Sequence, residues 1–230
     1  QLTSLPESIG NLSSLDWLYL SSNQLTSLPE SIGSLSSLET LYLSFNQLTS
    51  LPESFGNLTE LTGLYLEWHS LTSLPASFSQ LTNLFTLIIN NNWLSSLPED
   101  FGNISNLFIL DLGYNQLESI PESVCDINEN LTYLYLFNNN LTSLPDCMCE
   151  LDLNWSGLDG GFLPYFAIGG NQLCGNVPDC IEESAYFESS LDQFYYSAII
   201  EAPQEPNLGD LNGDGGWNVL DIVILANCIL

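Results

Sequence analysis

The sequence repeats itself. LTSLPESIGNLSSLDWLYLSSNQ from Leu2 returns as LTSLPESIGSLSSLETLYLSFNQ from Leu25 and as LTSLPESFGNLTELTGLYLEWHS from Leu48, a period of 23 residues. It continues as LTSLPASFSQ from Leu71, LSSLPEDFGN from Leu94, LESIPESVCD from Leu117 and LTSLPDCMCE from Leu141, and then degrades. No unit of this length can bury its own leucines, so the units must stack and build one continuous core.

Counted from the expected strand, each unit reads L-x-x-L-x-L-x-x-N-x-L-x-x-L-P. The units begin at Leu15, Leu38, Leu61, Leu84, Leu107 and Leu131, with a divergent seventh at Leu163. In L-x-L the leucines alternate with residues of the opposite face, as a half-buried strand requires. The column Asn23, Asn46, Asn92, Asn115, Asn139 and Asn171 follows each strand, where an amide can satisfy backbone groups of neighbouring coils. His69 takes that place in the third unit. It reads either as a metal ligand or catalytic base, or as a ladder substitute whose ring nitrogens imitate the amide; a position built from structural hydrogen bonds favours the second.

This pattern resembles the leucine-rich repeat family over about the first 180 residues. The resemblance implies an α/β leucine-rich repeat solenoid, right-handed, with a parallel β-sheet on the concave face and about seven coils. Gln1 aligns with Gln24, so the sequence starts halfway through a unit. Solenoids need capped ends, which predicts either preceding repeats or a partner at that end.

Composition narrows the function. The chain has 28 Asp plus Glu, no Lys, no Arg and one His, a formal net charge of -28. Nucleic-acid binding is excluded, because its affinity comes from cations that neutralise phosphates. Phosphoryl transfer and Schiff-base chemistry need residues this chain lacks. With 45% hydrophobic residues the chain is not disordered. Carboxylates in this number are tolerable when dispersed or screened by cations, and a basic partner is favoured on charge grounds.

The outward strand positions form two columns, Trp17, Thr40, Gly63, Thr86, Ile109, Tyr133 and Tyr165, then Tyr19, Tyr42, Tyr65, Ile88, Asp111, Tyr135 and Ala167. Phe45, Trp68, Tyr114 and Phe137 flank them, with Glu67, Asn90 and Asn138 among them. Strands about 4.8 Å apart would join these rings in a ladder. Trp17, Tyr19, Tyr42, Phe45, Tyr65, Trp68, Tyr133 and Tyr135 are therefore the candidate ligand-binding residues, suited to sugar rings or a protein partner. Catalytic residues are not expected. Asp16 and Glu39 share a column, but a smooth sheet offers no pocket to shift a pKa, and no G-x-S-x-G elbow accompanies His69.

Six cysteines, five of them between Cys125 and Cys180, point to an oxidising, extracellular setting, as do sequons at Asn11, Asn57, Asn103, Asn130, Asn140 and Asn154. Cys125 and Cys149 occupy one column of successive units, so stacking could bring them into bonding range and leave Cys147 over. NQLCGNVPDC resembles the cysteine-bearing C-terminal caps of extracellular leucine-rich repeat proteins, and by that likeness Cys174 pairs with Cys180. The longest apolar stretch, Ile222 to Leu230, is too short and too interrupted to span a bilayer.

Beyond the repeats, D-x-N-x-D-G-x-x-x-x-x-D from Asp210 to Asp221 offers oxygen ligands at positions 1, 3, 5 and 12 of a calcium loop, ahead of an apolar helix. It resembles one half of a dockerin repeat, the calcium-loop-helix unit of extracellular bacterial assemblies. The likeness implies Ca2+ held by Asp210, Asn212, Asp214 and Asp221, the carbonyl of Gly216 and a water-mediated contact from Asn218. The chain then divides into a solenoid with its cap (1–185), an acidic and aromatic connection (186–206) and a half dockerin-like calcium segment (207–230). The expected function is a secreted or cell-surface, non-enzymatic binding module for a glycan or extracellular protein. The competing reading is a structural subunit that self-assembles into filaments or a surface layer through its first coil and its C-terminal segment.

Overall fold

The computed structural model describes residues 1–127, 129–153, 158–159, 163–173 and 176–183. Its main sheet runs β1 (Trp17–Tyr19), β2 (Thr40–Tyr42), β3 (Gly63–Tyr65), β4 (Thr86–Ile88), β5 (Ile109–Asp111), β6 (Tyr133–Tyr135), β9 (Phe166–Ala167), every neighbouring pair parallel. The repeat period sets the register, so Tyr19 pairs with Tyr42 and Tyr42 with Tyr65. In the insertion before β9, β7 (Leu158–Asp159) and β8 (Leu163–Pro164) pair antiparallel. The expected leucine-rich repeat solenoid is the fold observed.

Each coil returns through a short 3-10 turn, as at Glu30–Ser34, Glu53–Asn57 and Ala76–Gln80. The proline of L-x-x-L-P stands just before these turns, at φ of -64 to -70°. A ring that fixes φ in that range and offers no N–H suits a turn entrance. One coil buries Leu38, Leu41, Leu43, Leu48, Leu51, Phe55 and Leu58. Each such side chain contributes about 1.5–3 kcal/mol. Behind the sheet, Phe55, Phe78 and Phe101 stack with ring centroids 6.1 and 6.4 Å apart, whereas Tyr19, Tyr42 and Tyr65 on the sheet stack at 4.6 and 4.5 Å. The coils lie closer on the sheet side, so the solenoid curves with its sheet inward.

The asparagine column knits adjacent coils. Asn46 Nδ2 donates to Leu20 O (2.9 Å) and Leu43 O (2.6 Å), while its Oδ1 accepts from Leu25 N–H (3.0 Å). Asn92, Asn115, Asn139 and Asn171 repeat the arrangement. These buried groups would otherwise be unpaired, and each bond is worth about 1 kcal/mol net.

The cysteine pairing differs from both expected pairs. Cys125 bonds to Cys147, and Cys149 to Cys180; Cys125 does not bond to Cys149, and Cys180 does not take Cys174, which lies outside the described residues. The reason is the offset between coils. The residue four past each proline packs against the residue two past the next proline: Gly10 against Ser31, Gly33 against Ser54, Gly56 against Ser77 and Gly102 against Ser123. A Cβ on Gly10 would sit 2.6 Å from Ser31 O, so the position demands glycine or a residue that bonds across the gap. Ser79 does so, its hydroxyl donating to Asp100 Oδ1 at 2.7 Å. The two disulfides obey the same offset, from Pro121 to Pro145 and from Pro145 to Pro178.

Candidate functional site: the aromatic concave face

Two aromatic rows cross this face. Tyr19, Tyr42 and Tyr65 stack with nearly parallel rings, at 6° and 12°. Burial, and next the neighbouring Tyr42, push the Tyr65 hydroxyl above the usual tyrosine pKa. The row stops there, because Ile88 and Asp111 follow in its column; the ladder of rings is not continuous. Phe45 and Trp68 form the second row, stacked at 5.7 Å and 11°, and are 50% and 43% exposed. Trp17 and Tyr19 are exposed at the first strand.

The second row sits on unusual backbone. Ser22, Phe45, Trp68, Asn91, Tyr114 and Asn138, each one residue before the ladder position, have φ between 50 and 60°. Ser and Asn accept this left-handed region more easily than large rings do, for which it costs on the order of 1–2 kcal/mol. Phe45, Trp68 and Tyr114 thus hold their rings out at a backbone cost, and strain of this kind gathers at functional sites.

Some expected members do not belong. Tyr135 is 3% exposed, enclosed by Phe137, Ala167 and Tyr133. Its ring meets those of Phe137 at 6.4 Å and Tyr133 at 6.3 Å, so it packs against Tyr133, which is half-buried, and presents almost no surface of its own. Asp111, placed by its column among the outward residues, is 1% exposed and accepts from Asn90 Nδ2 (2.6 Å) and Gly113 N–H (3.0 Å). Phe85 and Phe108 were not among the expected residues; they stack at 4.9 Å and Phe85 is exposed. Both stand second in their units, and reading that column beside the strand columns would have found them.

Glu67 is half-buried between the rows. Burial raises its pKa, and the hydroxyl of Ser44, which donates to Oε2, opposes the rise. His69 is buried in the ladder: Nδ1 accepts from Leu48 N–H (3.1 Å) and Nε2–H donates to Leu43 O (3.0 Å). Burial lowers its pKa to about 4. With both nitrogens engaged in the ladder, the ring fits the place of the amide. Among the described residues no cluster of His, Cys, Asp and Glu could hold a metal. Asp210, Asn212, Asp214, Gly216, Asn218 and Asp221 lie outside the described residues. So does the sequon at Asn154; Asn11, Asn57, Asn103, Asn130 and Asn140 are exposed. No helix among the described residues is long and apolar enough to cross a membrane.

Identical coils that pair strand to strand and show a column of side chains on the inner sheet face define a class, the parallel-strand repeat solenoids. Residues 1–91 match the family model for a leucine-rich repeat region and residues 82–141 that for a leucine rich repeat. The protein is a leucine-rich repeat protein. Similar solved structures include a leucine-rich repeat protein of Leptospira interrogans, at 32% identity and a TM-score of 0.54, which covers 73% of this chain and 47% of its own. The leucine-rich repeat ectodomain of the membrane receptor kinase GASSHO1/SCHENGEN3 from Arabidopsis thaliana, in complex with Casparian strip integrity factor 2, matches at 32% identity and a TM-score of 0.65, over 77% of this chain and 21% of that one. The plant peptide hormone receptor RGFR1, in complex with RGF2, matches at 28% and 0.63, over 73% and 26%. This chain therefore spans less than half the length of these proteins. No curated protein sequence matches significantly.

Proposed function

We propose that the protein is a non-enzymatic extracellular binding module that holds a protein segment or glycan against its aromatic concave face. The observation that carries this reading is the exposed Phe45–Trp68 pair, kept on left-handed backbone where Ser or Asn would cost less. Stacking of the two rings returns only about 0.5–1.5 kcal/mol against that cost, and a partner that desolvates their exposed surface adds to it. Tyr and Trp, with a large apolar body and few rotors, are the usual anchors of such contacts. Two structural neighbours are receptors in complex with named factors, which supports a binding role for the fold. The disulfides fit an oxidising compartment. A Ca2+ ion at Asp210 to Asp221 is part of the proposal and is supported by the loop sequence alone.

The test is a screen of extracellular proteins and glycans against the immobilised chain, repeated with Tyr42→Ala combined with Tyr65→Ala. Loss of two central anchors should weaken capture by about thirtyfold or more, with the circular dichroism of the fold retained. A double variant that captures its ligand as well as the parent refutes the concave site.

A further inference from the structure

The third coil has a glycine where the other coils show side chains. Gly63 shares its column with Trp17, Thr40, Thr86, Ile109 and Tyr133. It is the first residue of β3 and its φ is not positive, so its own backbone conformation does not call for glycine. Glycine inside a strand weakens it and often marks a place where a ligand comes close. Gly63 lines a hollow of about 540 Å³ on the concave face, and a Cβ there would meet Thr40 Cγ2 at 3.2 Å and Tyr65 Cε2 at 3.5 Å.

Its lining is chemically selective. Tyr42, Tyr65 and Phe85 bring ring surface, and Thr40, Thr62 and Thr86 bring hydroxyls. Asn83 and Asn106 also line it; their Nδ2 groups donate to Thr59 O (2.9 Å) and Thr82 O (2.8 Å). This fixes both amides and leaves each Oδ1 without a partner among the described residues, able to accept from a hydroxyl. No Asp or Glu lines the hollow, although the chain carries 28 of them, and it has no Lys or Arg to place there. The site therefore selects neither cations nor anions. Thr62 Oγ1 already donates to Glu39 O (3.0 Å), but a purely apolar group would leave the amide oxygens and the Thr40 and Thr86 hydroxyls unpaired at a cost.

We propose that the hollow over Gly63 is a subsite for a neutral hexose unit of a glycan, its ring against the aromatic side chains and its hydroxyls bonded to the threonines and amide oxygens. The inference rests on the concave-face reading and names the ligand chemistry at its centre.

The test uses the full chain produced without glycosylation, because the Asn130 sequon also borders the hollow. Neutral gluco-, manno- and galacto-oligosaccharides are titrated by calorimetry, with a polyuronate oligomer as the charged control. At least one neutral series should bind and the polyuronate should not. Gly63→Thr places there the residue that both neighbouring coils carry, so the fold should persist while binding falls about tenfold or more. The subsite is overturned if no neutral series binds at millimolar concentration, if Gly63→Thr binds like the parent, or if the polyuronate binds equally. Protein capture that survives without any sugar binding would overturn this inference alone; loss of both would overturn the concave-face reading as well.

Discussion

Cys125 bonds to Cys147 across the gap that Gly102 and Ser123 occupy one coil earlier, with Cα atoms 5.9 Å apart. The sequence separation is 22 residues, and 31 for Cys149–Cys180. In the chain-entropy picture each bond stabilises the fold by about 3–4 kcal/mol. Cys125→Gly with Cys147→Ser restores the pair used elsewhere, so the variant should fold, lose about 3 kcal/mol in denaturant titration and respond less to reductant than the parent. Non-reducing peptide mapping should recover Cys125–Cys147 and Cys149–Cys180. Recovery of a Cys125–Cys149 peptide would contradict the coil offset.

Trp68 holds φ at 60°, where the following coil has Asn91 at 54°. Trp68→Asn relieves on the order of 1–2 kcal/mol of backbone cost and gives up about 0.5–1.5 kcal/mol of stacking on Phe45. The two nearly cancel, so the melting temperature should stay the same or rise slightly while ligand capture falls. A variant that melts far below the parent would show that the ring is there to stabilise the fold rather than to bind.

What was readable in the sequence was whatever repeats with the coil. The leucine columns, the strand positions and the Asn23-to-Asn171 ladder follow from periodicity, because every coil faces the same geometry. What a column cannot show is the neighbour that lies over it. Tyr135 has the pattern of an outward residue, yet Phe137 and Ala167 close over it. Asp111 is capped by Asn90 and Gly113 in the same way. The Cys125–Cys149 pair failed for a related reason: one column was matched to itself, whereas adjacent turns meet two residues out of step. The Gly-to-Ser spacing of 21 residues, already present in Gly10–Ser31 and Gly33–Ser54, carried that offset.

His69 makes the fold acid-sensitive at one point. Its pKa is about 4 in the folded chain and 6.5 when unperturbed, so between those values the unfolded state binds more protons. The contribution is fully present above pH 6.5, declines as pH falls and is lost by about pH 4, amounting to at most about 3 kcal/mol. His69→Asn puts the ladder residue back and should remove this dependence. Carboxylate titration affects both proteins alike, so the check is the difference in their unfolding free energies at pH 7 and pH 4.5. The difference should move in favour of the variant at the lower pH; a constant difference would mean the imidazole is not held neutral by the ladder.

Calcium gives the sharpest test of the C-terminal segment. Asp210, Asn212, Asp214 and Asp221 provide hard oxygen ligands at loop positions 1, 3, 5 and 12, and the protein's net charge of -28 adds a field that draws divalent cations. That field alone would give weak, salt-sensitive binding spread over many sites. A built loop should instead give one saturable site that survives about 0.15 M salt, where the Debye length is about 8 Å. Calorimetry of Ca2+ into the full chain should resolve that site, and Asp210→Ala with Asp214→Ala should abolish it while leaving the repeat fold's circular dichroism intact. If the double variant binds as the parent does, the loop is not the site. Light scattering with Ca2+ and with chelator then separates the two uses of the ion: a monomer in both conditions keeps it as a local staple, and large species seen only with Ca2+ would make the segment an assembly contact.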